Sequence, residues 1–216
     1  MFIGHYGAAF AAKSIDRRPS LGTLFLASQW VDLIWPVMLL AGIEKVRIDP
    51  GNTAFTPLDF VYYPFTHGFL SVLIWGSLIG GIYYLIKKNA RGAFLLAGLV
   101  VSHWVLDWIA HGPDLPVVPG SDLKTGLGLW NSIPATVIVE GSLFLFGVFL
   151  YNRKTKAKNL TGRIGLWSLV VFFVGVYVMN LWGPPPPGVK PVAYVGLSQW
   201  LLVAWAYWID ANRRPS

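Results

Sequence analysis

Cysteine is absent from the 216 residues, so no disulfide framework and no thiolate metal site is available, and any bound metal must rest on nitrogen and oxygen. Charge is scarce as well. Asp, Glu, Lys and Arg make up only 12% of the chain against 55% hydrophobic residues, and the mean hydropathy is +0.55, a balance foreign to soluble domains and to disordered chains alike. Low complexity is confined to the four prolines 184–187, and no internal repeat of fixed period divides the sequence. Residues 1–216 therefore read as one integral membrane domain. The 17 basic residues outnumber the 10 acidic ones, but they sit at the ends of apolar stretches, where they face lipid headgroups and not nucleic acid.

What is present is a set of long apolar runs. About 20 such residues cross a bilayer as a helix, and six stretches qualify, roughly 21–43, 60–86, 92–111, 128–151, 164–182 and 191–209. Polar or Pro/Gly breaks separate them, the last being Gly183 through Gly188, whose prolines cannot continue a helix. The expected fold is all-α, a polytopic bundle of six transmembrane helices. Basic residues alternate across those six spans. Lys13, Arg17, Arg18, Lys87, Lys88, Arg91, Arg153, Lys154, Lys156, Lys158, Arg163, Arg213 and Arg214 fall on one side, whereas only Lys45, Arg47, Lys124 and Lys190 fall on the other. The positive-inside tendency then predicts cytoplasmic termini in a bacterial plasma membrane, with loops 44–59, 112–127 and 183–190 facing outward. Residues 1–12 are apolar, too short to span and without a basic n-region, which reads as a short helix dipping into the bundle in preference to a signal peptide. Such a helix carries His5 ~12 Å inward from Lys13.

Ionisable groups inside a membrane are costly and mark function by default. Asp32 is expected mid-span in the first helix, His67 about two turns into the second, His103 and Asp107 in the third, and Glu140 mid-span in the fourth. The last two helices carry none and read as scaffold. His103, Asp107 and His111 recur every four residues, so they form one polar stripe on their helix. His103 and Asp107, ~6 Å apart along the axis, can share an ion, whereas His111 is ~12 Å from His103 and falls to a second ion or an outer role. His67 and His103 fall at matching depth in this topology. Such a set suits a divalent metal, zinc first because of the imidazoles, with manganese and iron also compatible. Structural alternatives stand beside each: His67 as a packing histidine, His111 as a helix C-cap before Gly112-Pro113, His103 with Asp107 as an interhelical clamp, and Asp32 and Glu140 as polar glue. His5, beside Gly4 and Gly7, reads as a ligand or as a terminal residue at the interface. The eleven tryptophans read as interface belt and packing.

Four local signatures then resemble the membrane-bound metal-dependent hydrolases of the YdjM-like family: His5-Tyr6-Gly7-Ala8-Ala9, Asp32, Tyr63-Pro64-Phe65-Thr66-His67, and Ser102-His103 with Leu106-Asp107, continuing into His111-Gly112-Pro113-Asp114. The likeness covers residues 1–120 best. It implies a helical membrane protein with a metal site on His5, Asp32, His67, His103 and Asp107. The expected function is metal-dependent hydrolysis of a lipid-like or amphipathic ester or phosphoester, with Glu140 and His111 as the proton-handling residues and membrane lipid as the surroundings. A proton or metal-cation transporter and a non-catalytic assembly subunit are the competing readings.

Overall fold

The computed structural model describes residues 1–216 and is predominantly helical. Helix α1 (Ile3–Ala12) is short. Helices α2 (Leu21–Ser28) and α3 (Trp30–Leu40) follow one another with a bend of 53° between them. After a one-turn helix α4 (Pro64–His67) come α5 (Phe69–Lys87), α6 (Ala90–Ala110), α7 (Ile133–Lys154), α8 (Leu160–Trp182) and α9 (Val189–Ala211). These last five are each long and apolar enough to cross a membrane, and the bent α2–α3 pair is a sixth if its halves cross as one broken span. Their outward faces are bare of protein and apolar: Phe94 is 80% exposed, Met179 and Leu201 71% each. Such faces suit a hydrocarbon surrounding, so the polytopic all-α bundle expected from the sequence is what the chain forms.

Two expectations need correction. The second span does not begin at residue 60. Residues Leu58–Tyr62 form strand β2, paired antiparallel with β1 (Lys45–Ile48), and the membrane helix proper starts at Phe69 after an extended Gly68. Aromatic and β-branched residues at 60–63 suit a strand as well as a helix, and pairing decided between them. Nor is Asp32 at the middle of a straight helix. The backbone leaves helical geometry at Gln29, and Asp32 falls in the first turn of α3.

The loops gather at two opposite ends. At one, the β1–β2 hairpin, the small β3–β4 pair (Leu115–Pro116 with Lys124–Thr125) and the proline loop come together. At the other, β5 (Thr155–Ala157) pairs with β6 (Arg213–Pro215), Asn89 bonds Asp16, and Lys13 meets Asp210 at 2.9 Å. The sequence-based grouping of loops is thus reproduced.

Helix α1 lies inside the bundle against α7. A methyl group on Gly147 would stand 2.1 Å from the Gly7 carbonyl oxygen, and one on Gly7 2.6 Å from the Leu143 carbonyl oxygen, so the two backbones touch where neither residue has a side chain. That contact sets the depth of His5. Below it, Tyr6, Phe10, Phe25, Phe144 and Phe173 form a fully buried aromatic layer.

Candidate metal centre

Each ligand candidate is delivered by a different local device. α1 brings His5, the bend at Gln29 turns Asp32 inward, α4 holds His67, and the helical period of α6 places His103 one turn below Asp107. Their donor atoms converge. His103 Nε2 lies 3.2 Å from Asp107 Oδ2 and 3.6 Å from Asp32 Oδ2. His67 Nε2 lies 3.2 Å from Asp32 Oδ1 and 3.8 Å from Asp107 Oδ2, and His5 Nε2 is 3.1 Å from Asp107 Oδ1. The His5 and His103 rings stack face to face at 3.6 Å. Asp107 Oδ1 also receives the α-amino group of Met1. Two triads emerge, His5–His103–Asp107 and Asp32–His67–His103, each with its ligand atoms within 4.8 Å of one another. Ligands at ~2.1 Å from a tetrahedral zinc would stand ~3.4 Å apart, which is the scale of these separations.

Hydrogen bonding fixes the tautomers. His103 Nδ1 lies 2.7 Å from the Ser28 carbonyl oxygen, which can only accept, so Nδ1 carries a proton and Nε2 is the nitrogen that faces the centre. The Thr66 hydroxyl donates to Glu44 Oε2 at 2.7 Å, so at 2.7 Å from His67 Nδ1 it must accept, and His67 Nε2 is likewise the nitrogen turned inward. Both Nε2 atoms confront carboxylate oxygens. His103 Nε2 is buried and makes no hydrogen bond, although Asp107 Oδ2 is close by. A proton on each ring would satisfy these contacts, as in the 3.2 Å hydrogen bond between His67 Nε2 and Asp32 Oδ1, and one divalent ion in its place would satisfy both rings and both carboxylates. The residues present fit such an ion, with protonated-nitrogen partners of the kind that orient metal-binding imidazoles.

A cavity of about 470 Å³ opens at the hairpin end, with Asp32, His67 and Asp107 among the residues lining it. Trp35, Phe60 and Trp130 form an aromatic wall, their rings packed at 5.6 and 6.2 Å, and the proline loop lines another part. Gln199 of α9 also reaches the cavity.

His111 lies outside both triads but lines the same cavity, its ring against Trp130 and Phe60. Its Nδ1 is 3.2 Å from Asp114 Oδ1 and 3.2 Å from Tyr63 Oη. A carboxylate can only accept, so Nδ1 holds the proton and Nε2 is the nitrogen left for chemistry.

Glu140 departs from its expected role. It is fully buried and absent from the cavity lining; its Oε2 accepts the backbone N–H groups of Phe2 at 2.8 Å and Gly4 at 3.4 Å. Those donors have no partner inside α1, so Glu140 anchors the start of that helix and with it His5. The sequence reading missed Glu44, taken as part of a loop break. It is 1% exposed, accepts the N–H groups of Phe65 and Thr66 at 2.8 and 2.9 Å, and orients His67 through Thr66. Ser28 was missed too, because its contribution is a carbonyl that only the bend exposes.

Comparison with known protein families, curated proteins and solved structures finds no match.

Proposed function

We propose that this protein is a membrane-embedded, metal-dependent hydrolase of a lipid-like or amphipathic substrate, as its resemblance to the YdjM-like hydrolases also suggests. The observation that carries the reading is the convergence of His67 Nε2 and His103 Nε2 on the carboxylates of Asp32 and Asp107, beside a cavity that opens at the hairpin end. His67, His103, Asp32 and Asp107 would hold the ion, with His5 beside them; zinc is the ion proposed. When bound, a divalent cation supplies Lewis-acid polarisation of the substrate oxygen and acidifies water toward neutral pH.

The chain's own residues supply the rest. The Nε2 of His111, one turn above Asp107, takes a proton from water and returns it to the leaving group, with Asp114 holding the ring. The aromatic wall excludes water and receives the apolar part of the substrate. An ion path to the opposite end is disfavoured by the aromatic layer beneath His5. The cavity end is proposed to face away from the cytoplasm, following the distribution of basic residues.

The test is elemental analysis of detergent-purified protein together with hydrolysis of chromogenic esters. Wild type should carry stoichiometric metal and turn over. His103→Ala and Asp107→Asn should lose the metal, whereas His111→Gln should keep it and lose turnover. A metal-free wild type, or full metal retention by His103→Ala, overturns the reading.

A further inference from the structure

The turn between α5 and α6 joins an apolar groove to a cluster of cations, and the metal centre uses neither. Small residues bring the two helices together: a methyl on Gly80 would stand 2.7 Å from the Ala93 carbonyl oxygen. One turned outward at Gly81 would meet nothing within 4 Å. The seam is left as a groove of about 380 Å³, lined by Gly80, Gly81, Ala93 and Ala97 and by the exposed rings of Tyr84 and Phe94.

Lys87 lies one helical turn beyond Tyr84, and Arg91 one turn before Phe94, so both continue the helix faces that line the groove. The Lys88 ammonium is 5.8 Å from the centre of the Tyr84 ring. All three residues are exposed. The acidic side chains of this end are already engaged, Asp16 by Arg18 and Asn89, Asp210 by Lys13 and Tyr151, and the Ser216 terminus receives Arg17. Three cations without a counter-charge beside an apolar trough match an anion carried on an apolar chain. A second copy of this chain fits less well, because a twofold pairing through the groove would set two such clusters side by side.

We propose that this groove binds one anionic phospholipid, its phosphate held by Lys87, Lys88 and Arg91 and an acyl chain lying along Gly80, Gly81, Ala93 and Ala97. The site stands at the end of the bundle opposite the metal centre and does not depend on the hydrolase reading.

The experiment is native mass spectrometry of the full chain in non-ionic detergent, titrated with dioleoylphosphatidylglycerol and, separately, dioleoylphosphatidylcholine, and reads the affinity of the first lipid bound. Wild type should prefer the anionic lipid by about tenfold or more, since each cation near an anionic headgroup contributes a factor of about five. Lys87→Gln, Lys88→Gln and Arg91→Gln combined should abolish the preference. Gly81→Leu, whose added side chain projects into the groove, should weaken the anionic lipid with every charge intact. Arg153→Gln with Lys156→Gln, exposed at the same end but outside the groove, should change nothing. Equal affinity for the two lipids, an unchanged preference in the triple variant, unchanged binding by Gly81→Leu, or an equal loss in the Arg153 and Lys156 variant overturns the proposal. So does a wild-type dimer that Gly81→Leu dissociates, which would give the groove to a second copy, and so does displacement of the lipid by equimolar glycerol 1-phosphate, which would give the cations to a free phosphate.

Discussion

Thr66 Oγ1 stands 2.7 Å from both Glu44 Oε2 and His67 Nδ1, and because it has one proton it transmits the orientation of a buried carboxylate to a ring that faces the centre. Removing either partner should loosen that ring without removing a ligand. If the centre holds a divalent metal as proposed, Thr66→Val and Glu44→Gln are expected to weaken its affinity by about 10–100-fold, the usual cost of losing an outer-shell partner. Competition with a chromophoric chelator measures it; unchanged affinity in both variants would show that His67 needs no such support.

Glu140 offers a sharper separation of roles. Glu140→Gln retains an oxygen to accept the N–H groups of Phe2 and Gly4, whereas Glu140→Ala leaves them unpaired. The alanine variant should lose about 1–3 kcal/mol of stability and, with α1 displaced, some metal. The glutamine variant should stay folded, metal-loaded and active. An inactive but folded and metal-loaded Glu140→Gln would restore the proton-transfer role that the sequence alone suggested.

At the α1–α7 contact, Gly147→Ala places a methyl 2.1 Å from the Gly7 carbonyl, and the helices must separate. A cost of about 1–3 kcal/mol is expected, as for overpacking in general. Thermal unfolding in detergent reads the cost, and His5 should shift from Asp107 in step. A wild-type melting temperature would mean that α1 is not held here.

At the opposite end, burial works to raise the Asp16 carboxyl, but hydrogen bonds and charge from Arg18, with a further bond from Asn89, outweigh it and hold it down to about 2 from an ordinary 3.8. A carboxylate whose folded value is depressed stabilises the fold above the unfolded value and loses that contribution as pH falls through the folded one. Stability should therefore decline between pH 3.8 and about 2, and Asp16→Asn should flatten that part of the curve. Equal slopes in the two proteins would remove Asp16 as the cause.

The candidate ligand residues were legible in the sequence because an ionisable group within an apolar run has few other reasons to be there. His103 and Asp107 were legible as a pair because helical periodicity is local. The rest depended on breaks that periodicity does not announce. Pro36, the obvious interruption of the first span, sits inside α3, while the bend falls at Gln29 and exposes the Ser28 carbonyl. Phe60 to Tyr63 extended the apparent second span because a short apolar run satisfies strand and helix alike. Glu44 carried no signal of its own, since its relation to His67 spans 23 residues and exists only once β1 and β2 have paired. Glu140 was placed in the right span, but which neighbour its oxygens would serve depended on the seating of α1.

The β1–β2 hairpin lies between Glu44 and the Thr66–His67 pair, so the ladder joining Arg47 to Asp59 and Ile48 to Leu58 fixes how far apart those groups are held. A slip of one rung would translate one arm by ~3.3 Å and turn its side chains over. The precision of a pocket sunk among membrane helices is thus inherited from a small extramembrane ribbon, and errors in folding that ribbon would be felt as errors in chemistry.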